Sequence, residues 1–150
     1  MTKNFFITML VAVFLGAILG NFLFAKYKLE DQVVLKEVNS IYFITEGTYS
    51  SKEQATTATK DIDVKLIVKE DANYVVYLAI TENEDNLKRL EELFKEKGLK
   101  ISTKKMSIDN KEFLATLEQM DLLIKKTETT EEIMAVNEVV LANYEEFVLN

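Results

Sequence analysis

The sequence predicts an α+β domain in which a four-stranded antiparallel sheet carries two helices on one face. Two stretches of similar pattern, each with a strand, a helix and a strand, predict this class. A long apolar segment precedes them, and two amphipathic helical stripes follow them, which predicts one additional part on each side of the domain. The expected organisation is a transmembrane anchor at 1–25, a stalk at 26–40, a β-α-β-β-α-β domain at 41–108 and a C-terminal helical hairpin at 109–150.

The N-terminal segment from Phe5 to Phe24 is a run of twenty residues without a charged side chain. A helix of that length spans about 30 Å, the thickness of a bilayer's hydrocarbon core. A cleaved signal peptide is the main competing interpretation. It is disfavoured because cleavage after Gly20 or Ala25 needs a small residue two positions earlier, where Ile18 and Leu23 stand. We therefore expect an uncleaved single-pass anchor.

Small residues recur every fourth position inside this segment, at Ala12, Gly16 and Gly20. That spacing lets two membrane helices approach closely, so these residues are candidates for helix packing and a homodimer. Small residues scattered in an apolar helix are the alternative. Lysines stand on both sides of the segment, so the positive-inside rule does not decide its orientation.

The first half of the predicted domain begins with the β-favouring run at Ile41. Gly47 is expected to break this strand, and Ser51 with Gln54 forms a capping-box pattern at a helix start. The predicted elements that follow are a helix at about Lys52–Ile62 and a strand at Val64–Val68.

The second half repeats the first with an offset of 32 residues, which places Tyr42 on Tyr74. After its strand, Thr81 and Glu84 form a second capping pair. A helix is expected from about Asn86 to Lys97, and Gly98 is expected to end it before the fourth strand. Two such halves give one antiparallel sheet with both helices on one face.

Residues 41–108 resemble a SPOR domain, the sporulation-related repeat of bacterial cell-envelope proteins, and the order of elements is ferredoxin-like. The resemblance rests on an aromatic-led strand, then Gly, a small residue, an aromatic, Ser and a helix with an inward Ala, and on a second half from Tyr74 to Gly98. The usual Gln is replaced by Thr45, and the usual second Gly by Ala79. The matching places in the first half are Tyr42, Ile44, Thr45, Gly47, Thr48, Tyr49, Ser50 and Ala55.

The resemblance implies peptidoglycan binding, with the glycan strand on the open face of the sheet. It also implies a cytoplasmic N-terminus and an extracytoplasmic domain. Strand alternation turns one set of side chains away from the helices, and this set is unusually apolar. Phe43 and Tyr77 are the candidate sugar-stacking rings, with Thr45 and Val75 beside them, and Ala79 is expected on the same face.

The C-terminal segment offers a different explanation for that apolar face. Asp109 with Glu112 and Thr129 with Glu132 are capping patterns that predict two helices joined by a short loop. Both helices carry stripes that need burial, so we expect them to pack on the domain, on the stalk or on another copy. If they cover the open face, that face cannot bind glycan. The stripes are Phe113, Leu117, Met120 and Ile124, then Ile133, Val136, Val140, Tyr144 and Phe147.

Composition disfavours catalysis and nucleic-acid binding. The chain has no Cys and no His, and its net charge is −7. It therefore lacks a thiolate nucleophile and the commonest general base and transition-metal ligand, and no segment is basic enough for a run of phosphates. We expect no enzyme, cofactor, metal or nucleic-acid partner. Lys100, Lys104 and Lys105 are explained either as an anion site or as guards of an edge strand.

Two functions remain open from the sequence. The first is a membrane-anchored envelope protein whose SPOR-like domain binds peptidoglycan. The second is a structural or interaction protein of the envelope, whose sheet face is covered by its own C-terminal helices and which acts through self-association or a protein partner.

Overall fold

The computed structural model describes residues 40–150. The predicted anchor, its small residues Ala12, Gly16 and Gly20, and the stalk up to residue 39 lie outside the described residues. Along the described chain the elements are β1 (Ile41–Tyr49), α1 (Lys52–Ala58), β2 (Leu66–Glu70), β3 (Asn73–Thr81), α2 (Glu84–Glu96), β4 (Ser102–Met106), α3 (Lys111–Lys126), α4 (Thr130–Tyr144) and a π-helical turn (Glu145–Leu149).

The four strands form one antiparallel sheet in the order β2-β3-β1-β4. This confirms the predicted α+β class and antiparallel sheet. The two long strands, β1 and β3, lie in the centre, and the two five-residue strands form the edges. Seven of the nine residues of β3 are buried, all except Asn73 and Tyr74. Because successive side chains point to opposite faces, the sheet is covered on both faces.

Two bulges shift the pairing of β1 with β3. From Ile44 to Thr45 the partner residue on β3 changes from Ala79 to Tyr77, so Leu78 is an extra residue on β3. From Thr45 to Gly47 the partner changes only from Tyr77 to Val76, so Glu46 is an extra residue on β1. The two insertions cancel, and the register is restored beyond them.

The bulges correct two expectations. Ala79 is paired with Ile44 and belongs to the same buried cluster, so it faces α1 and α2 and not the opposite side. The reason is that the extra residue at Leu78 reverses the alternation after Tyr77. Gly47 does not end β1, which continues to Tyr49. A side chain at Gly47 would instead come within 3.2 Å of the Tyr49 hydroxyl.

The layer formed by α1 and α2 packs on one face of the sheet, as predicted. Its core joins Ala55, Leu90 and Phe94 to Ile44 and Val76 of the central strands. Helix α1 ends at Ala58, four residues before the expected end. Strand β2 begins at Leu66, two residues later than expected.

The helix ends confirm some capping predictions and correct others. Ser51 caps α1 through the Gln54 amide, and Thr129 caps α4 through the Glu132 amide, both as predicted. The cap of α2 is Asn83, because Thr81 is still part of β3, and the cap of α3 is Asn110, one residue after Asp109. Gly98 follows α2 with a positive φ of 76°, the conformation that glycine adopts without strain.

Helices α3 and α4 form an antiparallel pair that packs on the opposite face of the sheet. The predicted stripe on α3 is fully confirmed, since all four of its members are buried. On α4 the stripe is confirmed at Ile133, Val140 and Tyr144, whereas Val136 and Phe147 are only partly buried. The described residues belong to one compact unit. Within 40–150, no helix is both long and apolar enough to cross a membrane.

Candidate functional site

The four predicted glycan-binding side chains lie in the interior of the described structure. Phe43 and Tyr77 have no exposed surface, Val75 is 2% exposed and Thr45 is 4% exposed. The Thr45 hydroxyl is used within the sheet, where it donates to the Ser102 carbonyl at 3.2 Å. Because a ligand contacts only exposed atoms, sugar stacking on these residues would require α3 and α4 to leave the sheet.

An aromatic cluster fills the space between the sheet and the helix pair. The Tyr144 ring lies edge-on to Phe43 at 5.3 Å between centroids and 6.1 Å from Tyr77. Phe113 of α3 packs on the other side of Tyr144 at 5.4 Å. Such edge-to-face pairs contribute about 0.5–1.5 kcal/mol each beyond the burial of their area. The rings predicted to stack on sugars therefore pack against the aromatic side chain of Tyr144 on α4.

The Asp121 carboxylate anchors α3 to the end of β3 and the start of α2. One oxygen accepts hydrogen bonds from the Thr81 hydroxyl and, at 2.9 Å, from the Asn86 amide. The other oxygen accepts from the Glu82 backbone N–H at 2.9 Å. Burial raises the pKa of Asp121, although its hydrogen bonds act in the opposite direction. Burial together with the nearby Asp121 charge also raises the pKa of Glu82.

Two further polar contacts fix the helix pair. Arg89 on α2 donates to the carbonyls of Ile124, at 2.7 Å, and Thr127, at 2.6 Å, and so satisfies the C-terminal end of α3. The fully buried Asn137 on α4 donates to the Leu78 carbonyl at 2.6 Å. That carbonyl belongs to the bulge residue of β3, and the Asn137 side-chain oxygen has no partner among the described residues.

Sequence reasoning did not identify Asp121, Arg89 or Asn137 as important. A usable signal was present for two of them. Asp121 follows Met120 inside the apolar stripe of α3, and Asn137 lies four residues after Ile133 on the buried side of α4. A polar residue in such a stripe indicates a buried hydrogen bond between layers.

Charged side chains cross the sheet beside the aromatic cluster. The Tyr77 hydroxyl donates to Glu70, and the Lys104 ammonium lies 3.4 Å from the same carboxylate and 5.8 Å from the Tyr77 ring centroid. Burial, followed by the hydrogen bond to Glu70, raises the pKa of Tyr77 well above its usual range. Burial also raises the pKa of Tyr144. These interactions stabilise neutral tyrosines and give neither ring the ionised form that nucleophilic catalysis needs.

Two of the surface grooves of the described residues lie at ends of the edge strands. The smaller, about 190 Å³, lies beside the start of β2 and is lined by Lys65 and by the acidic residues Asp63, Glu138 and Glu145. The larger, about 400 Å³, begins where β4 ends and has an apolar side and a polar side, the latter with Asp109 and Asn110. Within 40–150 no group of acidic side chains is arranged to hold a metal ion.

The comparisons with known proteins return little. No family model matches the chain, and no curated protein matches it. Among solved structures, the chain is similar to the solution structure of the peptidoglycan binding domain of the B. subtilis cell wall lytic enzyme CwlC, at 18% sequence identity and a TM-score of 0.41. The match covers 50% of this chain and 100% of that chain. At this level of similarity, the function has to be inferred from the contacts within this chain.

Proposed function

We propose that this chain is a non-catalytic structural or interaction protein of the bacterial cell envelope, in which the SPOR-like sheet is closed by the chain's own C-terminal helices. The observation that supports this proposal best is the contact of Tyr144 with Phe43 and Tyr77. It turns the face on which the resemblance places a ligand into a protein core.

The free energy needed to move α3 and α4 off the sheet is larger than the free energy that a ligand of moderate affinity provides. Opening would expose at least five side chains of the sheet that are now no more than 2% accessible. At about 1.5–3 kcal/mol each, their exposure alone costs on the order of 10 kcal/mol. A ligand with micromolar affinity provides about 8 kcal/mol. The five side chains are Ile41, Phe43, Val75, Tyr77 and Ile80.

The envelope location is part of the proposal and comes from the apolar segment Phe5–Phe24. We propose that it anchors the protein as a single-pass membrane protein with a cytoplasmic N-terminus, and that residues 41–150 lie on the extracytoplasmic side. Protease protection in intact cells and in permeabilised cells tests this topology. Cleavage of residues 41–150 only after permeabilisation of the membrane would contradict it.

Removal of the helix pair tests the closed-face proposal. A chain truncated after Ile108 should aggregate or lose its cooperative thermal unfolding, because the apolar sheet face is then exposed to water. A shorter truncation that removes only 145–150 retains all four rings and is the control. An unchanged melting temperature after truncation at Ile108 would overturn the proposal.

Peptidoglycan binding is the second candidate function. It is supported by the resemblance of Tyr42–Ala55 and Tyr74–Gly98 to the SPOR pattern, together with the strand and helix order that the two halves adopt. In the closed structure it would have to use a surface other than the buried rings. Sedimentation of the folded protein with purified sacculi tests it, and the absence of co-sedimentation would eliminate it.

A further inference from the structure

The edge strand β4 has an unpaired outer edge, lies in a basic segment and ends beside a groove. In the sheet formed by the described residues, β4 pairs only with β1, so its outer edge carries unpaired backbone N–H and C=O groups. Such an edge is a template for one more strand. The segment that contains β4 is also basic, and a groove with an apolar side begins at its end.

The basic character is local. From Lys97 to Ile108 the sequence has four lysines and no acidic residue, in a chain whose net charge is −7. Lys100 and Lys105 are exposed, and neither lies within salt-bridge distance of a carboxylate among residues 40–150. The other free edge, β2, carries one lysine and one glutamate, and it starts beside a groove that contains Lys65 as well as three acidic residues. The excess of lysine is therefore specific to the β4 edge.

The lysines of β4 turn inward over the sheet. The Lys104 side chain runs inward across one face of the sheet to Tyr77 and Glu70. The Lys105 ammonium lies 5.4 Å from the ring centroid of Tyr42, which is on the neighbouring inner strand. Both side chains thus point toward the centre of the sheet. Inward-turned lysines on an edge strand disfavour pairing with an apolar or basic strand, whereas an acidic strand beside them forms favourable cross-strand charge pairs.

The larger groove continues from β4. Its apolar side includes Met106, the last residue of the strand, and the partly buried side chains of Ile108, Phe147 and Val148, whereas Ser107, Asp109 and Asn110 form its polar side. Leu149, at 42% exposure, adds apolar surface nearby on the same π-helical turn. A peptide that pairs with β4 therefore has an apolar recess for a side chain near one end.

We infer that β4 is a docking strand for an extended acidic peptide segment of a partner protein, with an apolar side chain of that segment in the groove beyond Met106. The inference rests on the proposed interaction function and names the surface and the class of partner. A peptide fits better than a glycan because only a peptide presents alternating N–H and C=O groups to a sheet edge. Its acidic side chains match the lysines of this segment.

The test measures fluorescence anisotropy of a labelled hexapeptide, Glu-Val-Glu-Val-Glu-Leu, with the full-length protein in detergent micelles. Binding should weaken by about tenfold for Lys100→Glu combined with Lys105→Glu, and strongly at high salt. The pair Lys125→Glu with Lys126→Glu on α3 makes the same change in net charge and should alter binding by less than about twofold. A probe that is methylated at every backbone nitrogen keeps its charges but cannot pair as a strand, and should not bind.

The outcomes separate this inference from the proposed function. If truncation at Ile108 unfolds the protein but the full-length protein does not bind the peptide, the closed-face proposal stands and the docking-strand inference is overturned. If the methylated probe binds as tightly as the unmethylated peptide, or if both pairs of lysine substitutions weaken binding equally, then only charge attraction is present. Either result also overturns the docking-strand inference. Self-association that Lys100→Glu with Lys105→Glu abolishes would assign the edge to a second copy instead of a peptide.

Discussion

The two faces of the sheet are both covered by helices, but they are held in different ways. The layer of α1 and α2 follows the strands in chain order and packs through apolar contacts such as those of Ala55, Leu90 and Phe94. The layer of α3 and α4 is added after the last strand and is fixed by buried polar contacts of Asp121 and Asn137 in addition to its apolar ones. Apolar packing supplies most of the stability in both layers, whereas the polar contacts determine where the second layer sits.

Matched truncations in the two layers give the largest expected effect. Phe94→Ala and Phe113→Ala each remove a ring that is 1% exposed, one from each layer. Each should lower the free energy of unfolding by about 3–5 kcal/mol in a urea titration. Leu122→Ala, at a position 53% exposed, is the control and should have little effect. If Phe113→Ala behaves like that control, the second layer is not part of the core.

Asp121→Ala tests the polar contacts of the second layer. It leaves the Thr81 hydroxyl and the Glu82 N–H without their carboxylate acceptor, and the Asn86 amide keeps only the Asp121 backbone carbonyl. We expect a loss of about 3 kcal/mol in the free energy of unfolding. Glu118→Ala, at an exposed position one turn earlier on α3, should change the free energy of unfolding by less than about 0.5 kcal/mol. A gain in stability for Asp121→Ala would show that the cost of burying the charge exceeds the value of its hydrogen bonds.

Arg89→Ala should have a smaller effect, of about 2 kcal/mol, because two charge-assisted hydrogen bonds to the end of α3 are lost. The exposed neighbour Lys88→Ala removes the same charge without those contacts. Equal unfolding free energies for the two variants would mean that Arg89 does not hold the two layers together.

Alkaline pH should weaken the closed face gradually. The pKa of Tyr77 and of Tyr144 is raised in the folded protein, so both remain protonated at a pH where the unfolded chain ionises. The unfolded state then holds fewer protons, and stability falls as pH rises above about 10, by about 1 kcal/mol per pH unit for each tyrosine. Melting temperatures from pH 9 to pH 11 measure the effect. Tyr77→Phe should reduce the slope, and an unchanged slope would contradict the role of its hydroxyl.

The strands and helices of residues 41–108 could be predicted because their signals are local. Strand alternation, the Ser51 cap and Gly98 each depend on a few neighbouring residues. The reversal at Ala79 could not be predicted, because the bulges at Leu78 and Glu46 depend on how β1 and β3 align across a large sequence separation. The Asn83 cap was missed because Thr81 offers an equally good capping pattern two residues earlier.

The candidate site was the least predictable part. The sequence correctly indicates an apolar face at Phe43 and Tyr77, and it correctly indicates two helices that need burial. Whether this face binds a ligand or is covered by the helix pair depends on tertiary contacts. Neither apolar stripe alone determines those contacts. Only the polar residues inside the stripes, Asp121 and Asn137, carry information about position, because their hydrogen bonds require particular partners.

The place of Tyr144 in the chain also has a consequence for synthesis. The ring that closes the sheet lies on α4, and all four strands precede α4 in the chain, so the strands emerge from the ribosome before their cover. Domains fold as their residues become available, and a sheet face left exposed meanwhile is prone to aggregate. The nascent chain therefore passes through a stage in which an aromatic surface is open, and this stage ends when α4 has emerged and packed on the sheet.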